Sequence, residues 1–368
     1  KGGIFLTENS REGEKRPLSM EAQYRRQTRR KRLLIFAAAA LLIASAYVFT
    51  TLGMAQTSLR LLGDALWAYF SGPLEESADP TLYKVLLLLR LPRIALAVLA
   101  GAGLAVAGAV MQSVTRNVLV SPFTLGISAA AVFGASLAIL FGGGLLYSGE
   151  GVMILGAFLS ALTCGLIVYT IARQINLQPM TIVLVGIGLN YFFSALTATL
   201  EFFAREHKLA AVVEWTFGSF NRATWESVAV TAAVTIPVLL LLWSFALSLN
   251  AMSQNDDETA RSLGVRTDRV RTVTGLAAIL VTAAIISFTG IIGFVGLIAP
   301  HVARLIIGSD HVYYLPFTAL SGALLLLWAD TLGKFILYPV NIPVGIVVSF
   351  IGVPLFLQLI FQTRKEGR

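Results

Sequence analysis

The chain has 368 residues, of which 56% are hydrophobic and only 13% are charged, whereas a typical soluble domain has about 25% charged residues. A single water-soluble core cannot bury so much apolar surface, so the composition excludes an ordinary soluble protein and predicts a chain that lies in lipid. The net charge is +8, but the cations lie beside apolar segments, and we therefore predict no binding of nucleic acid.

Long apolar stretches follow one another along the chain. A helix needs about 20 apolar residues to cross the hydrocarbon core, and about ten stretches approach that length. They are Leu33–Leu52, Ile94–Met111, Phe123–Phe141, Val152–Ala172, Met180–Phe203, Val228–Leu249, Val270–Phe288, Ile291–Ile307, Tyr314–Trp328 and Val344–Phe361. The apolar runs are continuous and lack the alternation of barrel strands. We therefore predict an all-α polytopic membrane protein with about ten transmembrane helices.

The segment before the first stretch is strongly basic. It includes the run "RRQTRRKR" (Arg25–Arg32), and basic residues favour the cytoplasmic side of a membrane. With this segment inside, about 20 of the 28 Lys and Arg residues fall on the same side. We predict a cytoplasmic tail at residues 1–32 that also touches anionic lipid, a transmembrane domain at residues 33–363 and a cytoplasmic C-terminal tail at residues 364–368.

The connection Gly53–Arg93 leads into the second span. Its "LRLLGDALWAYF" mixes apolar and charged residues, which predicts an interfacial helix. Arg90 and Arg93 follow on the side opposite the tail, against the charge bias, so that they either anchor to headgroups or serve a partner. In Leu99–Gln112, small residues share one face, which predicts a central helix packed closely by its neighbours.

The segment Asn250–Thr272 is the most polar stretch after the tail. Asn255 or Asp256 is a suitable N-cap for a short helix, and Gly264 is a suitable left-handed residue to end it. The segment is either a solvated loop or a small helix that inserts into a groove of another protein.

Sequence patterns of catalysis and metal binding are absent. The sequence has no HExxH, CxxC or GxSxG motif, its three histidines have no metal-ligand spacing, and Cys164 has no second cysteine to pair with. Its only Gly-Lys pair, Gly333-Lys334, lacks the remaining residues of a phosphate-binding loop. We therefore predict that the chain is not an enzyme, holds no metal or cofactor, and binds no ATP through such a loop.

The block "GFVGLIAPHVARLIIGSDH" (Gly293–His311) places Pro300 inside an apolar helix. A proline leaves one backbone carbonyl without its helical donor, and in lipid a protein group must replace that donor. Further on, Asp330 is an acidic residue deep in a span. It is either an ion site or a structural residue bonded to a neighbour.

Several blocks now identify a family. They are "LRLPRIALAVLAGAGLAVAGAVMQ", "RNVLVSPFTLGISAAAVFGA", "ETARSLGV", the block Gly293–His311 and "LLLLWADTLGK" followed by "IPVGIVVSFIGVPLFL". The chain resembles the permease subunits of ABC importers for iron–siderophore, haem and cobalamin, the FecCD-type (type II) importers. It departs from that pattern at Val118 and Asn341, where family members often have Pro and Glu, and this leaves the cargo open.

The resemblance implies a role for several residues. It implies a permease of the bacterial cytoplasmic (inner) membrane that moves ferric siderophore or a related chelate inward. Its partners would be a second permease, cytoplasmic ATP-binding subunits that hydrolyse ATP, and an extracytoplasmic substrate-binding protein. The binding protein would dock on Arg90, Arg93 and Lys334, and Glu258, Ala260, Arg261, Ser262, Leu263 and Gly264 would form the coupling helix. Gly186, Asn190 and Ser194 would line the pathway. The alternative is an ion-coupled secondary transporter that uses Asp330.

Overall fold

The structure is a computed structural model that describes residues 20–51, 84–142, 149–175, 177–254 and 256–366. Within those ranges the chain forms thirteen α-helices and no strand, which confirms the predicted all-α class. The helices are α1 (Met20–Thr51), α2 (Leu91–Thr115), α3 (Ile127–Phe141), α4 (Glu150–Gln174), α5 (Pro179–Phe202), α6 (Glu206–Thr216), α7 (Trp225–Ser244), α8 (Ala246–Gln254), α9 (Asp257–Ser262), α10 (Thr267–Thr289), α11 (Val295–Ile307), α12 (His311–Phe335) and α13 (Val344–Glu366). A π-helical turn (Val85–Arg90) leads into α2, and a 3₁₀ turn (Pro122–Leu125) precedes α3.

Seven of the described helices are long and apolar enough to cross a membrane, namely α1, α2 with its π turn, α4, α5, α7, α10 and α12. Three shorter apolar helices accompany them: α3, α11 and the Val344–Leu355 part of α13. These helices fall on the ten apolar stretches that the sequence shows. How many of them cross the bilayer stays a prediction.

Some helix boundaries differ from the predicted ones. Helix α1 begins at Met20, so the basic run lies in the helix, because Arg and Lys are good helix formers. The predicted span Val228–Leu249 is divided at Phe245 into α7 and α8. Helix α6 was not predicted, because it is short and amphipathic. The interfacial helix predicted in residues 59–70 lies outside the described residues.

Helices α2 and α10 form the centre of the bundle. In each, 72% of the most apolar window is buried inside the chain, compared with 22% for α5. Glycines let the neighbours of α2 approach closely, as predicted. A Cβ on Gly108 would lie 2.0 Å from the carbonyl oxygen of Gly296 in α11, and one on Gly101 would lie 2.3 Å from that of Gly322 in α12. These contacts require glycine, because the backbones themselves touch.

The carbonyl that Pro300 deprives of its donor has a partner. A residue other than proline at position 300 would donate its N–H to the carbonyl of Gly296, four residues earlier in α11. In its place the buried Gln112 side chain of α2 donates from Nε2 to that oxygen at 3.2 Å. This confirms the expectation that neighbouring groups compensate the proline inside the protein.

The same solution occurs in α12. Pro316 cannot donate to the carbonyl of Val312, and Trp243 of α7 donates from its indole Nε1 to that oxygen at 3.1 Å. Two prolines of the membrane helices are therefore accommodated by side-chain donors from other helices.

Polar contacts define the two ends of the bundle. At one end, Asp310 lies 3.8 Å from Lys31 of α1 and accepts a hydrogen bond from Asn250 of α8 at 2.9 Å. We call this the tail end, since α1 enters there with its basic run, and α9 follows α8 there. At the opposite end, Arg90 donates to the carbonyl oxygen of Thr50 at 2.9 Å. Along α1, Lys31 and Thr50 lie about 28 Å apart at 1.5 Å per residue.

Candidate docking and coupling sites

An ion cluster lies at the end opposite the tail. Arg93 donates from Nε and Nη2 to both carboxylate oxygens of Asp330 at 2.7–3.1 Å. Lys334, one helical turn after Asp330, places its Nζ 3.0 Å from the same carboxylate. A further bond from Arg93 to the side-chain oxygen of Asn221 connects the cluster to the loop before α7. We refer to Arg93, Asp330 and Lys334 as the triad.

The π turn before α2 positions both arginines. The π turn continues directly into α2 at Leu91. The N–H of Leu91 donates to the carbonyl of Leu86, and Pro92 lies in the first turn of α2. The indole of Trp225 donates to the carbonyl oxygen of Leu87 at 2.8 Å and ties this turn to α7. Pro92 has no N–H to continue the i→i−5 bonds of the π turn, which at this position would reach the carbonyl of Leu87.

Two of the three predicted docking cations thus share one carboxylate. Arg93 is only 15% exposed, Lys334 is 33% exposed and Asp330 is 5% exposed. The bidentate bond with Arg93 gives Asp330 a structural role, which is the second of the two alternatives that the sequence left open. The docking role of Arg90, Arg93 and Lys334 stays a prediction, and the structure adds that Arg93 is already paired within the chain.

At the tail end, the polar segment forms the predicted short helix. Asp256 caps α9, since its side chain accepts the N–H of Thr259 at 2.8 Å. Gly264 has a φ of +85°, a left-handed conformation that glycine adopts without steric cost. Both ends of α9 are therefore as predicted, and Arg261 closes the segment by donating to Thr267 and Asp268 of α10 at 3.0–3.2 Å.

The exposed face of α9 differs from the predicted one. We expected Ala260, Leu263 and Gly264 to lie together near one side. Ala260 is fully buried against its own chain, whereas Leu263 is 64% exposed. The reason is that the helix ends at Ser262, so Leu263 lies beyond the last helical turn. Glu258, Arg261 and Ser262 are also exposed, and a partner would meet these side chains and Leu263, not Ala260.

Asp257 connects α9 with the transmembrane helices. Its two oxygens lie 3.0 and 3.1 Å from Nη2 of Arg271, and Arg116 forms a second ion pair with it. Burial alone raises the pKa of Asp257, but the hydrogen bonds and charges of Arg271 and Arg116 outweigh burial and hold the pKa below its ordinary value. The carboxylate is therefore ionised at neutral pH. The sequence did not single out Asp257, because Arg116 is 141 positions away and no local pattern pairs Asp257 with Arg271.

The three predicted pathway residues have different surroundings. Gly186 is buried, and a Cβ on it would lie 2.6 Å from the Cα of Leu125, so its small size is required by packing. Asn190 is half-buried and Ser194 is exposed on α5. The role of Gly186, Asn190 and Ser194 in lining a pathway stays a prediction.

Comparison with known proteins adds to this geometry. The FecCD transport family matches residues 36–362. MJ0087 of Methanocaldococcus jannaschii, named as an ABC transporter permease protein, is 43% identical over 76% of this chain and 82% of its own length. The haemin transport system permease protein HmuU of Yersinia pestis is 34% identical, with coverages of 79% and 87%. The molybdate import system permease protein MolB of Haemophilus influenzae is 33% identical, with coverages of 91% and 97%.

A solved structure is similar to this chain over most of the fold. It is described as a metal-chelate type ABC transporter in an inward-facing conformation, and it matches with a TM-score of 0.78 and 31% identity over 90% of this chain and 99% of the other. The chain therefore belongs to the FecCD transport family and is a multi-pass membrane permease of an ABC importer.

Proposed function

We propose that this chain is the permease half of an ATP-driven importer that moves a ferric siderophore, or a related iron chelate, into the cytoplasm. Two permease chains enclose the pathway, and separate ATP-binding subunits attach at the tail end, which faces the cytoplasm. An extracytoplasmic binding protein delivers the cargo at the opposite end.

The observation that carries this proposal is the form of α9. Its cap, its buried Ala260 and the ion pairs of Asp257 fix the helix on the chain, while Leu263 stays 64% exposed in water. A helix of six residues is too short to be stable alone, and an exposed leucine on such a fixed projection suits insertion into the groove of a partner. The basic run of α1 lies at the same end, which supports a cytoplasmic partner.

The opposite end suits an acidic partner. Arg90, Arg93 and Lys334 bring three positive charges to this end and Asp330 offsets one of them, which leaves the group positive. Carboxylates on a binding protein would be attracted to such a surface, and attraction of this kind sets association rate and register. Lys334, which is more exposed than Arg93, is the cation of the triad that a partner reaches first.

The cargo is proposed on the relatives. Several of them are named for iron carriers: haemin, iron(3+)-hydroxamate and Fe(3+)-citrate. Molybdate is the second candidate, since the relative named for it aligns over 97% of its own length. Asn190 and Ser194 are neutral, and neutral polar side chains suit a large hydrophilic chelate better than a tight ion site.

Two measurements test the proposal. The permease is expressed with candidate ATP-binding subunits and purified in mild detergent, and we expect the subunits to elute with it on size-exclusion chromatography. The complex is then reconstituted in liposomes with its binding protein, and uptake of labelled ferric siderophore, haemin and molybdate is compared. Elution of the permease without any ATP-binding subunit would contradict the proposal. Uptake of molybdate alone would show that molybdate, not an iron chelate, is the cargo.

A further inference from the structure

Besides the buried Ala260 and the bonds of Arg261 to α10, the carboxylate of Asp257 connects α9 with the ends of other membrane helices. Arg271, one of its two partners, has a side chain only 1% exposed. Besides Asp257, Arg271 donates from Nε to the carbonyl oxygen of Val114, in the last turn of α2, at 3.2 Å, and from Nη1 to that of Leu177, just before α5, at 3.3 Å. A guanidinium has five donors in a rigid plane, so one side chain fixes three segments relative to one another.

The second partner extends the connection to α8. Arg116 follows the last residue of α2 and donates from Nε to the carbonyl oxygen of Met252 at 2.9 Å while it pairs with Asp257. Asp257 therefore joins α9, α10, the end of α2, the connection just before α5 and the last turn of α8 through two arginines.

The backbone is strained at this point. Within the described ranges, three residues other than glycine have a positive φ, and two of them belong to this network: Arg116 at 50° and Leu177 at 49°. Such conformations cost energy in residues with a Cβ and persist only where the surroundings enforce them. The network thus holds both connections in shapes that they would not adopt freely.

We propose that Asp257 is the positioning residue that makes α9 rigid with α2 and α5, so that a movement imposed on α9 by an ATP-binding subunit reaches the transmembrane helices. This inference rests on the proposed coupling role of α9. Without the two ion pairs, α9 would still display Leu263 and would still bind the subunit. It would then move without carrying α2 and α5 along, and ATP would be hydrolysed without transport.

The test compares Asp257→Asn with Asp256→Asn in the complete complex in liposomes. Asp256→Asn removes the same charge from the neighbouring residue but keeps an N-cap, since Asn caps as well as Asp. For Asp257→Asn we expect the ATP-binding subunits to be retained, ATP hydrolysis to continue and the amount of cargo moved per ATP to fall about tenfold, within the usual range of coupling between sites. Asp256→Asn is expected to keep the wild-type ratio, and Asp257→Glu is expected to regain part of it.

Three outcomes would overturn the inference. They are an unchanged ratio in Asp257→Asn, loss of the subunits from that variant, and an equal fall of the ratio in Asp256→Asn. If Asp257→Asn does not fold, Arg116→Gln takes its place, because that side chain is 31% exposed; a lowered ratio would support the inference and an unchanged ratio would overturn it. Failure of the proposed function is distinguishable, since the wild-type chain itself would then lack the subunits.

Discussion

At two prolines of the apolar helices, a single side chain from another helix supplies the missing hydrogen bond. Gln112 lies in the last turn of α2 and Trp243 in the last turn of α7, and each side chain carries an N–H donor. Each donates to a carbonyl that a proline has deprived of its donor. In lipid no water can replace such a bond, so the donor and the proline have to be considered as a pair.

This pairing predicts the effect of removing Gln112. Gln112→Leu keeps the size of the side chain but leaves the buried carbonyl of Gly296 unpaired, which costs about 1–3 kcal/mol. In a Pro300→Ala background the alanine N–H supplies the missing bond, and Gln112→Leu is expected to cost much less. Thermal unfolding of the four proteins in detergent measures this double-mutant cycle. Equal losses in both backgrounds would show that Gln112 acts through something other than this carbonyl.

Asp330 is a structural partner of Arg93, whereas an ion-coupled carrier would need it to bind the transported ion. Membership of an ABC importer family overturns the alternative of a secondary transporter, and the bidentate bond to Arg93 accounts for the acid. Asp330→Asn should therefore lower stability by about 1–3 kcal/mol, since it weakens hydrogen bonds to a charged group, and should leave uptake dependent on ATP alone. Uptake in liposomes is measured with and without an uncoupler at fixed ATP. Uptake that collapses with the uncoupler would reverse this interpretation.

At the scale of the helices, the sequence predicted those features that depend on residues close together along the chain. The cap at Asp256, the turn at Gly264 and the glycine face of α2 follow from local conformational rules, and the structure confirms them. The triad was not predicted, because Arg93 and Asp330 are separated by 237 positions and no period of the sequence relates them. The separate surroundings of Ala260 and Leu263 were also not predicted. Ala260 is buried by the rest of the chain, whereas Leu263 follows the end of α9 and is exposed.

The turn after α9 allows a test that separates backbone shape from contact. A Cβ on Gly264 would meet no atom within 4 Å, so only its φ of +85° restricts the choice of residue. Gly264→Val should cost about 1–2 kcal/mol or more, because a β-branched residue resists the left-handed region, and should lose the ATP-binding subunits. Gly264→Asn is the matched control, since Asn adopts that region readily. Capture of the subunits on size-exclusion chromatography measures both variants, and equal capture would refute the role of this turn.

At the scale of the whole molecule, the two ends carry different groups of charged residues. The tail end gathers the basic run, α9 and Asp257, while the triad and Arg90 lie at the other end. The centre is sealed by α2 and α10, and α5 leaves most of its surface uncovered, including Tyr191 at 73% exposure. The uncovered surface of α5 is thus left for lipid or for the second permease that the family implies.

The positive-inside rule turns this separation into a prediction of topology. Ser262 lies at the tail end and Glu226 lies at the opposite end, beside Trp225, and both side chains are exposed. Cys164 is buried and free, so it should stay unlabelled under native conditions and needs no removal.

In intact cells we expect a membrane-impermeant maleimide to label Glu226→Cys but not Ser262→Cys, because the basic run holds its end of the chain in the cytoplasm. In inside-out vesicles the pattern should invert. Labelling of Ser262→Cys from outside would place α9 beyond the reach of ATP and would contradict both the topology and the coupling role at once.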